Sequence, residues 1–338
     1  MKINKTDNSK RKFLGACALG LAGIACGGAG ALAFQGGVPN KWKKEAYHYT
    51  KESGNKMYCD ICWNECVILP GKRGDCRTKL NYDNKLYTLS YGNPCAINVD
   101  PVEKKPFYHY LPSIKCFSLA IAGCNYKCLN CQNYSISTAN PDETQNYDLS
   151  PDAAVNSAVK YGCHAIAYTY SEPITFYEYM YDTAQIARSR GIKNTMVSNG
   201  SIKEKPLRQL CKYLDAATID IKGFDDEVVK KLTGGSYKPV LKSFLIMKEM
   251  GVWLEISNLV VPSWTDNLDK IKEMCRWLHK NGFDDTPLHF LRFNPLYKLS
   301  HLPPTPVSTL QKAKTIALDA GIKYVYIGNV PGESQDTI

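Results

Sequence analysis

From Cys116 onward, short runs of β-branched and aromatic residues alternate with longer stretches of helical periodicity. Strands are predicted at 116–121, 164–169, 193–198, 216–221, 252–260, 288–292 and 323–327, with helices between them. The punctuation is regular. Ser150-Pro151 opens one helix and Gly162 closes it, while Gly191, Gly251, Gly282 and Gly321 each follow a helical run and precede a strand. Strand, helix and strand joined by short links imply parallel pairing and an α/β architecture. Six or seven such units are too few to close an eight-unit barrel. The expectation for 116–330 is therefore an open, partial (β/α) TIM-type barrel, followed by a tail over 331–338.

The chain before Cys116 has a different texture. Ser9-Lys10-Arg11-Lys12-Phe13-Leu14-Gly15 leads into an apolar run to Phe34 that contains Ala31-Leu32-Ala33. A basic start, an apolar stretch and an A-x-A site over 1–34 imply a twin-arginine-like export signal, with lysine in the first arginine position. An uncleaved membrane anchor is the alternative, and six glycines between Phe13 and Phe34 would make it a mediocre span. A cytoplasmic location is the remaining reading. Residues 35–57 read as a polar, aromatic linker, and 58–115 as a small cysteine-rich region. Within that region 87–92 is a predicted strand, and Asp100-Pro101-Val102-Glu103-Lys104-Lys105-Pro106 reads as a charged surface turn.

The 338 residues carry a net charge of +10, of which Lys2, Lys5, Lys10, Arg11 and Lys12 against Asp7 supply +4 within the first twelve residues. The remainder is dispersed, so nucleic acid is not indicated as a partner. Cysteine changes the picture more. Seven of the 14 cysteines fall into two tight groups. Cys59, Cys62, Cys66 and Cys76 form a closed set of four, suited to a structural zinc or a second iron–sulfur cluster, with two disulfides as the alternative in an oxidising compartment.

The second group, Cys124, Cys128 and Cys131, lies in G-C-N-Y-K-C-L-N-C-Q-N directly after the first predicted strand of the barrel. Three thiolates on one loop can hold three corners of a 4Fe-4S cubane and leave one iron open, whereas electron-transfer clusters and structural zinc normally take four ligands. A zinc knuckle, or a disulfide pair with a spare thiol, is the plainer alternative. The C-x3-C-x2-C spacing resembles the radical S-adenosylmethionine (SAM) superfamily, in which the open iron takes the amino and carboxylate groups of SAM.

A sulfonium cofactor with an amino acid tail needs an acceptor for its ammonium, polar partners for its ribose and a cation for its carboxylate. Polar residues recur at the ends of the next three predicted strands, where barrel-type sheets carry their chemistry. Glu172 follows the second, Ser198-Asn199 ends the third, and Asp220 with Lys222 ends the fourth. Any one of these alone would be an ordinary solvated strand end or turn. Glu255, Asn258, His289 and Arg292, on the fifth and sixth strands, are candidates for the substrate side.

The cysteine run, with Y-T-Y-S-E-P, V-S-N-G, I-D-I-K-G-F, P-L-H-F-L-R-F-N-P-L-Y-K-L, Y-V-Y-I-G-N-V-P-G and D-P-V-E-K-K-P-F-Y-H-Y, resembles the AmmeMemoRadiSam-system radical SAM proteins. Those are relatives of the pyruvate formate-lyase activating enzymes, and the resemblance spans about 58–335. It implies a 4Fe-4S cluster on Cys124, Cys128 and Cys131 with SAM on the open iron, Glu172 at the SAM ammonium, and Asp220 and Lys222 in the D-x-K pattern of the activating enzymes. It implies reductive cleavage of SAM to a 5′-deoxyadenosyl radical that abstracts hydrogen from a substrate, which in the activating enzymes is a glycine of a partner protein.

A low-potential donor such as flavodoxin or ferredoxin, and a protein substrate or AmmeMemo-system partners, are the implied partners. Asn130 stands where family members often carry an aromatic, no further cysteine pair follows near the C-terminus, and the export-like signal is not general in the family. The alternative expectation is an exported iron–sulfur electron-transfer or metal-binding protein with a vestigial SAM site.

Overall fold

The computed structural model describes residues 40–332; the signal or anchor read over 1–34 lies outside them. Among the described residues no helix is long and apolar enough to cross a membrane.

Six short strands come first: β1 (Lys44–Glu45), β2 (Tyr49–Lys51), β3 (Met57–Cys59), β4 (Val67–Ile68), β5 (Lys79–Tyr82) and β6 (Lys85–Thr88). They pair antiparallel into two three-stranded sheets, ordered β1-β6-β5 and β2-β3-β4. Asp83 and Asn84, both at positive φ (48° and 57°), form the two-residue turn between β5 and β6. The expected linker over 35–57 is corrected here. Lys44 and Glu45 pair with Thr88 and Tyr87, and Tyr49 to Lys51 with Met57 to Cys59. Strands of two or three residues are too short to show alternation, and the partners of β1 are about forty residues away.

The remaining strands form one eight-stranded sheet in the order β14-β13-β12-β11-β10-β9-β8-β7. These are β7 (Ala96–Pro101), β8 (Lys115–Ala120), β9 (Ala165–Tyr168), β10 (Lys193–Ser198), β11 (Ala216–Asp220), β12 (Trp253–Val260), β13 (Leu288–Arg292) and β14 (Val325–Gly328). From β8 to β14 every pairing is parallel, and β7 adds antiparallel at the β8 edge. Seven parallel strands with helices between them are the partial TIM-type barrel expected from the sequence. The predicted limits of β10 and β13 coincide with the observed ones, and the others differ by one or two residues.

The helices between the strands are α1 (Tyr134–Ser137), α2 (Pro151–Lys160), α3 (Tyr177–Ser189), α4 (Glu204–Cys211), α5 (Asp226–Thr233), α6 (Lys238–Glu249), α7 (Leu268–Lys280) and α8 (Val307–Asp319). Local chemistry sets their limits. The Ser150 side chain caps α2 by accepting from Ala153 N–H, Asp225 caps α5 through Glu227 and Val228 N–H, and Asn267 caps α7. The five glycines expected to stop helices all have positive φ.

One end of the barrel is plugged, and this corrects a second expectation. Asp100 to Pro106 is not wholly a surface turn: Pro101 and Lys104 are exposed, but Asp100, near the end of the edge strand, forms a 2.7 Å ion pair with the buried Lys105, while Phe107 inserts among Cys116, Ala165, Ala167 and Ala216. Alanines on the strands leave room for that ring.

Glu255 fixes the plug from inside. Its carboxylate accepts from the backbone N–H groups of Tyr108 (2.9 Å), His109 (2.9 Å) and Tyr110 (3.2 Å), and pairs with His289 at 2.8 Å. Glu255 and His289 sit near the N-terminal ends of β12 and β13, so they hold the closed end and do not line the substrate side. Arg292, the last residue of β13, donates to Thr305 O, and Asn258, within β12, donates to Ile221 O just past β11.

Candidate active site

The opposite end, at the C-terminal edges of the strands, gathers the cysteine loop. Leaving β8, the chain runs through Ala122-Gly123 into Cys124, Cys128 and Cys131 and returns through α1. Gly123 has φ +107°, and a Cβ there would stand 2.6 Å from both Cys76 O and Thr78 Cγ2. Only glycine gives that turn and that approach. The loop then docks on α5: Lys127 N–H donates to Thr233 O (2.7 Å) and Leu129 N–H to Leu232 O (2.9 Å). Tyr126 packs against Gly235, where any Cβ would collide with its ring at 2.2 Å, and donates its hydroxyl to Ser236 O. Asn133 closes the far side by donating to Tyr170 O (2.7 Å).

Glu172 lies at the end of the loop after β9, where Tyr170 takes a positive φ of 66°. It is buried and accepts three hydrogen bonds, from Ser198 Oγ (2.7 Å) and Ile174 N–H (3.2 Å) on one oxygen and from Asn199 N–H (2.9 Å) on the other. A carboxylate has about four acceptor positions, so one remains. Burial is the largest influence on this group and, against the hydrogen bonds from Asn199 and Ser198, lifts its pKa to about 7.

Asn199 continues the chain of contacts, donating from Nδ2 to Asn125 Oδ1 (2.7 Å) and accepting from Ser201 N–H (2.9 Å). Asn125 follows Cys124 directly. Ser198 and Asn199 thus face Glu172 and the cysteine loop rather than standing free, and Asn125, which the sequence reading left unassigned inside the cysteine motif, joins the two. Its only sequence signal was its place between two ligand candidates.

Lys222, just beyond β11, donates to Asp220 at 2.5 Å, and Ser257 Oγ on β12 donates to the other Asp220 oxygen. Burial works to lower the Lys222 pKa; the charges of Asp220 and Cys128 outweigh it and hold the ammonium above its usual value. In return Lys222 works against burial at Cys128, whose thiol still stands at about 11. Burial, then the charges of Glu172 and Cys128, push Cys124 well above the ordinary thiol. The predicted residues Cys124, Cys128, Cys131, Glu172, Ser198, Asn199, Asp220 and Lys222 therefore meet at one mouth formed by the ends of four consecutive strands.

Comparison with known proteins accords with this geometry. The family model described as the radical SAM superfamily matches residues 119–278. An uncharacterized protein of Methanocaldococcus jannaschii is 44% identical over 295 residues, covering 87% of this chain and 88% of that protein. Residues 119–278 form a radical SAM domain. The pyruvate formate-lyase 1-activating enzyme of Escherichia coli is 23% identical over 231 residues, 64% of this chain and 93% of that enzyme. In fold, the radical SAM chain resembles the crystal structure of Streptococcus suis SuiB bound to S-adenosylmethionine, with a TM-score of 0.50, 14% identity, and coverage of 68% of this chain and 53% of that one.

The superfamily implies a 4Fe-4S cluster and SAM, and the residues present fit both. Three thiols leave one loop with no fourth cysteine on it, and the Cys124 sulfur already accepts the Tyr126 N–H at 3.3 Å, the kind of bond that tunes a cluster sulfur. Among the described residues no three His, Cys, Asp or Glu side chains close around the space of a single ion. A cubane is bound corner by corner, each thiolate on a different iron. Beside the loop stand a carboxylate with an acceptor position left and an ammonium, held by Asp220, whose charge acts on Cys128.

Proposed function

We propose that this radical SAM protein is an enzyme that removes a hydrogen atom from its substrate, with Cys124, Cys128 and Cys131 holding the cluster and Glu172, Ser198, Asn199, Asp220 and Lys222 forming the SAM side of the site. The observation that carries this reading is the convergence of those eight residues at one end of the barrel, where Glu172, Asn199 and Asn125 link two strand ends to the cysteine loop. When bound, the cluster and SAM supply a 5′-deoxyadenosyl radical, given one electron from a low-potential donor such as flavodoxin or ferredoxin.

The protein's own residues do the positioning. Glu172 offers its remaining acceptor to an ammonium, held by Ser198, Ile174 and Asn199. Lys222, fixed by Asp220, presents a cation to a carboxylate and to the thiolates. The plug of Phe107 and its neighbours closes the barrel floor against water. The distant likeness to an activating enzyme supports glycyl-radical formation on a partner protein as the form of the reaction, with AmmeMemo-system proteins as candidate partners.

The test is 5′-deoxyadenosine formation by the full chain, reconstituted anaerobically and given SAM and a strong reductant, beside a Cys128→Ala control. Product that requires Cys128 is the expected result. A fully loaded cluster that neither binds SAM nor yields product would instead make the protein an electron carrier with a vestigial site.

A further inference from the structure

Outside the active site, the structure draws a second set of thiols together. Cys59, Cys62, Cys66 and Cys76 all line one small cavity with Asn64, Lys79 and Asn125. They arrive from two loops. Cys59 N–H donates to Cys66 O (3.0 Å), closing the β3–β4 hairpin with Cys62 at its turn, and Glu65 makes that turn at φ +50°. Cys76 comes from the next loop, 3.2 Å from Thr78 Oγ1. None of the four is in a disulfide. The one cation on the cavity wall, Lys79, is committed to Glu178.

We propose that Cys59, Cys62, Cys66 and Cys76 form a second metal centre, a closed set of four thiolates that holds zinc or an iron–sulfur cluster and builds the wall behind the active-site loop. Two physical observations support it beyond the count of thiols. The strands around the cavity are two to four residues long and share the barrel's core rather than having one of their own, so a metal would add a direct tie between the two cysteine loops.

The set and the neighbouring Asn64 side chain also touch the active-site segments at three places. Cys76 O packs on Gly123, Cys62 pairs in an isolated bridge with Ile202, and Asn64 Nδ2 donates to Asn125 O at 2.8 Å. Gly123 and Asn125 flank Cys124, and Ile202 follows the Ser198-Asn199 turn. A metal here would fix both sides of the SAM region at once.

The experiment uses the full chain purified without oxygen. Iron, zinc and acid-labile sulfide are measured for the wild type, Cys128→Ala and Cys62→Ser/Cys66→Ser. Iron and sulfide beyond about four per chain, kept in Cys128→Ala and lost in the double variant, establish a second cluster. One zinc per chain with the same pattern keeps the centre and names its metal. Because the double variant can fail to fold, native wild-type protein is also alkylated and mapped by mass spectrometry. Protection of the four cysteines that a chelator or oxidative cluster removal lifts, and a disulfide reductant does not, supports the metal. Protection lifted by the reductant alone, or metal content unchanged in a folded double variant, overturns it. Loss of iron only in Cys128→Ala would overturn this centre while leaving the radical SAM reading intact, so the two fail separately.

Discussion

At the scale of single residues, Glu172 decides the most. Its carboxyl stands at about 7 because burial outweighs three hydrogen bonds. An ammonium bound there favours the ionised form, so the complex binds fewer protons at this group than the free protein. SAM affinity is therefore expected to be flat above about pH 7 and to fall below it, by at most about tenfold per unit. Calorimetric titration of cluster-loaded protein between pH 6 and 8 measures this. Glu172→Gln removes the charge and sets an amide against the donors that now hold it, so SAM should bind roughly 10- to 100-fold more weakly with no slope across pH 7 and unchanged iron content. A variant with wild-type affinity and slope would remove Glu172 from the site. The identity of these residues was legible because each ends a recognisable strand. Their mutual contacts were not: the Glu172 and Asn199 pair spans 27 positions, and Asn199 to Asn125 spans 74.

Among elements, the segment between β7 and β8 shows where periodicity fails. Its charged, proline-flanked residues read as surface, yet Asp100 and Lys105 neutralise each other in a buried pair, and the aromatic residues that follow are held by a strand far along the chain. Glu255 is about 146 residues from the backbone N–H groups it accepts. Glu255→Ala would strip those donors, together with His289 and Trp253 Nε1, of a buried partner. The expected loss is about 3–5 kcal/mol in urea unfolding at pH 7. Because the plug is at the end opposite the cysteines, SAM affinity of the folded variant should stay within about twofold of wild type, well inside the tenfold that 1.4 kcal/mol represents. Lost SAM binding with unchanged stability would return Glu255 to the substrate side, where its sequence position alone had put it. The main strands were legible for the complementary reason: parallel strands buried on both faces are short apolar runs bounded by turn residues, a wholly local signal.

On the scale of the whole molecule, the question is whether the small sheets and the barrel fold as one unit. Among the described residues their most buried ion pair is Lys79 on β5 with Glu178 on α3, whose side chains are 2% and 0% exposed. Glu178 also accepts the Tyr47 N–H at 3.2 Å, and nearby Asp182 binds Lys44, Tyr47 and Tyr91. One turn of α3 is thus the anchor for the β1-β6-β5 sheet, while Lys203, at the start of α4, holds Tyr58 of the β2-β3-β4 sheet. A buried charge left without its partner costs far more than the pair contributes, so Lys79→Met should destabilise by about 3–5 kcal/mol, while Lys79→Met/Glu178→Gln recovers most of that loss. If the molecule is one cooperative unit, Lys79→Met will shift a single unfolding transition, seen alike by near-ultraviolet circular dichroism and by cysteine accessibility at 59–76 and at 124–131. If the small sheets are an independent appendage, the 59–76 thiols will open at lower denaturant while the barrel transition stays in place. The former follows from the contacts of Cys76 with Gly123 and of Cys62 with Ile202: loosening the small sheets exposes the backbone that holds the active-site loop, so the two ends of that contact lose their structure together.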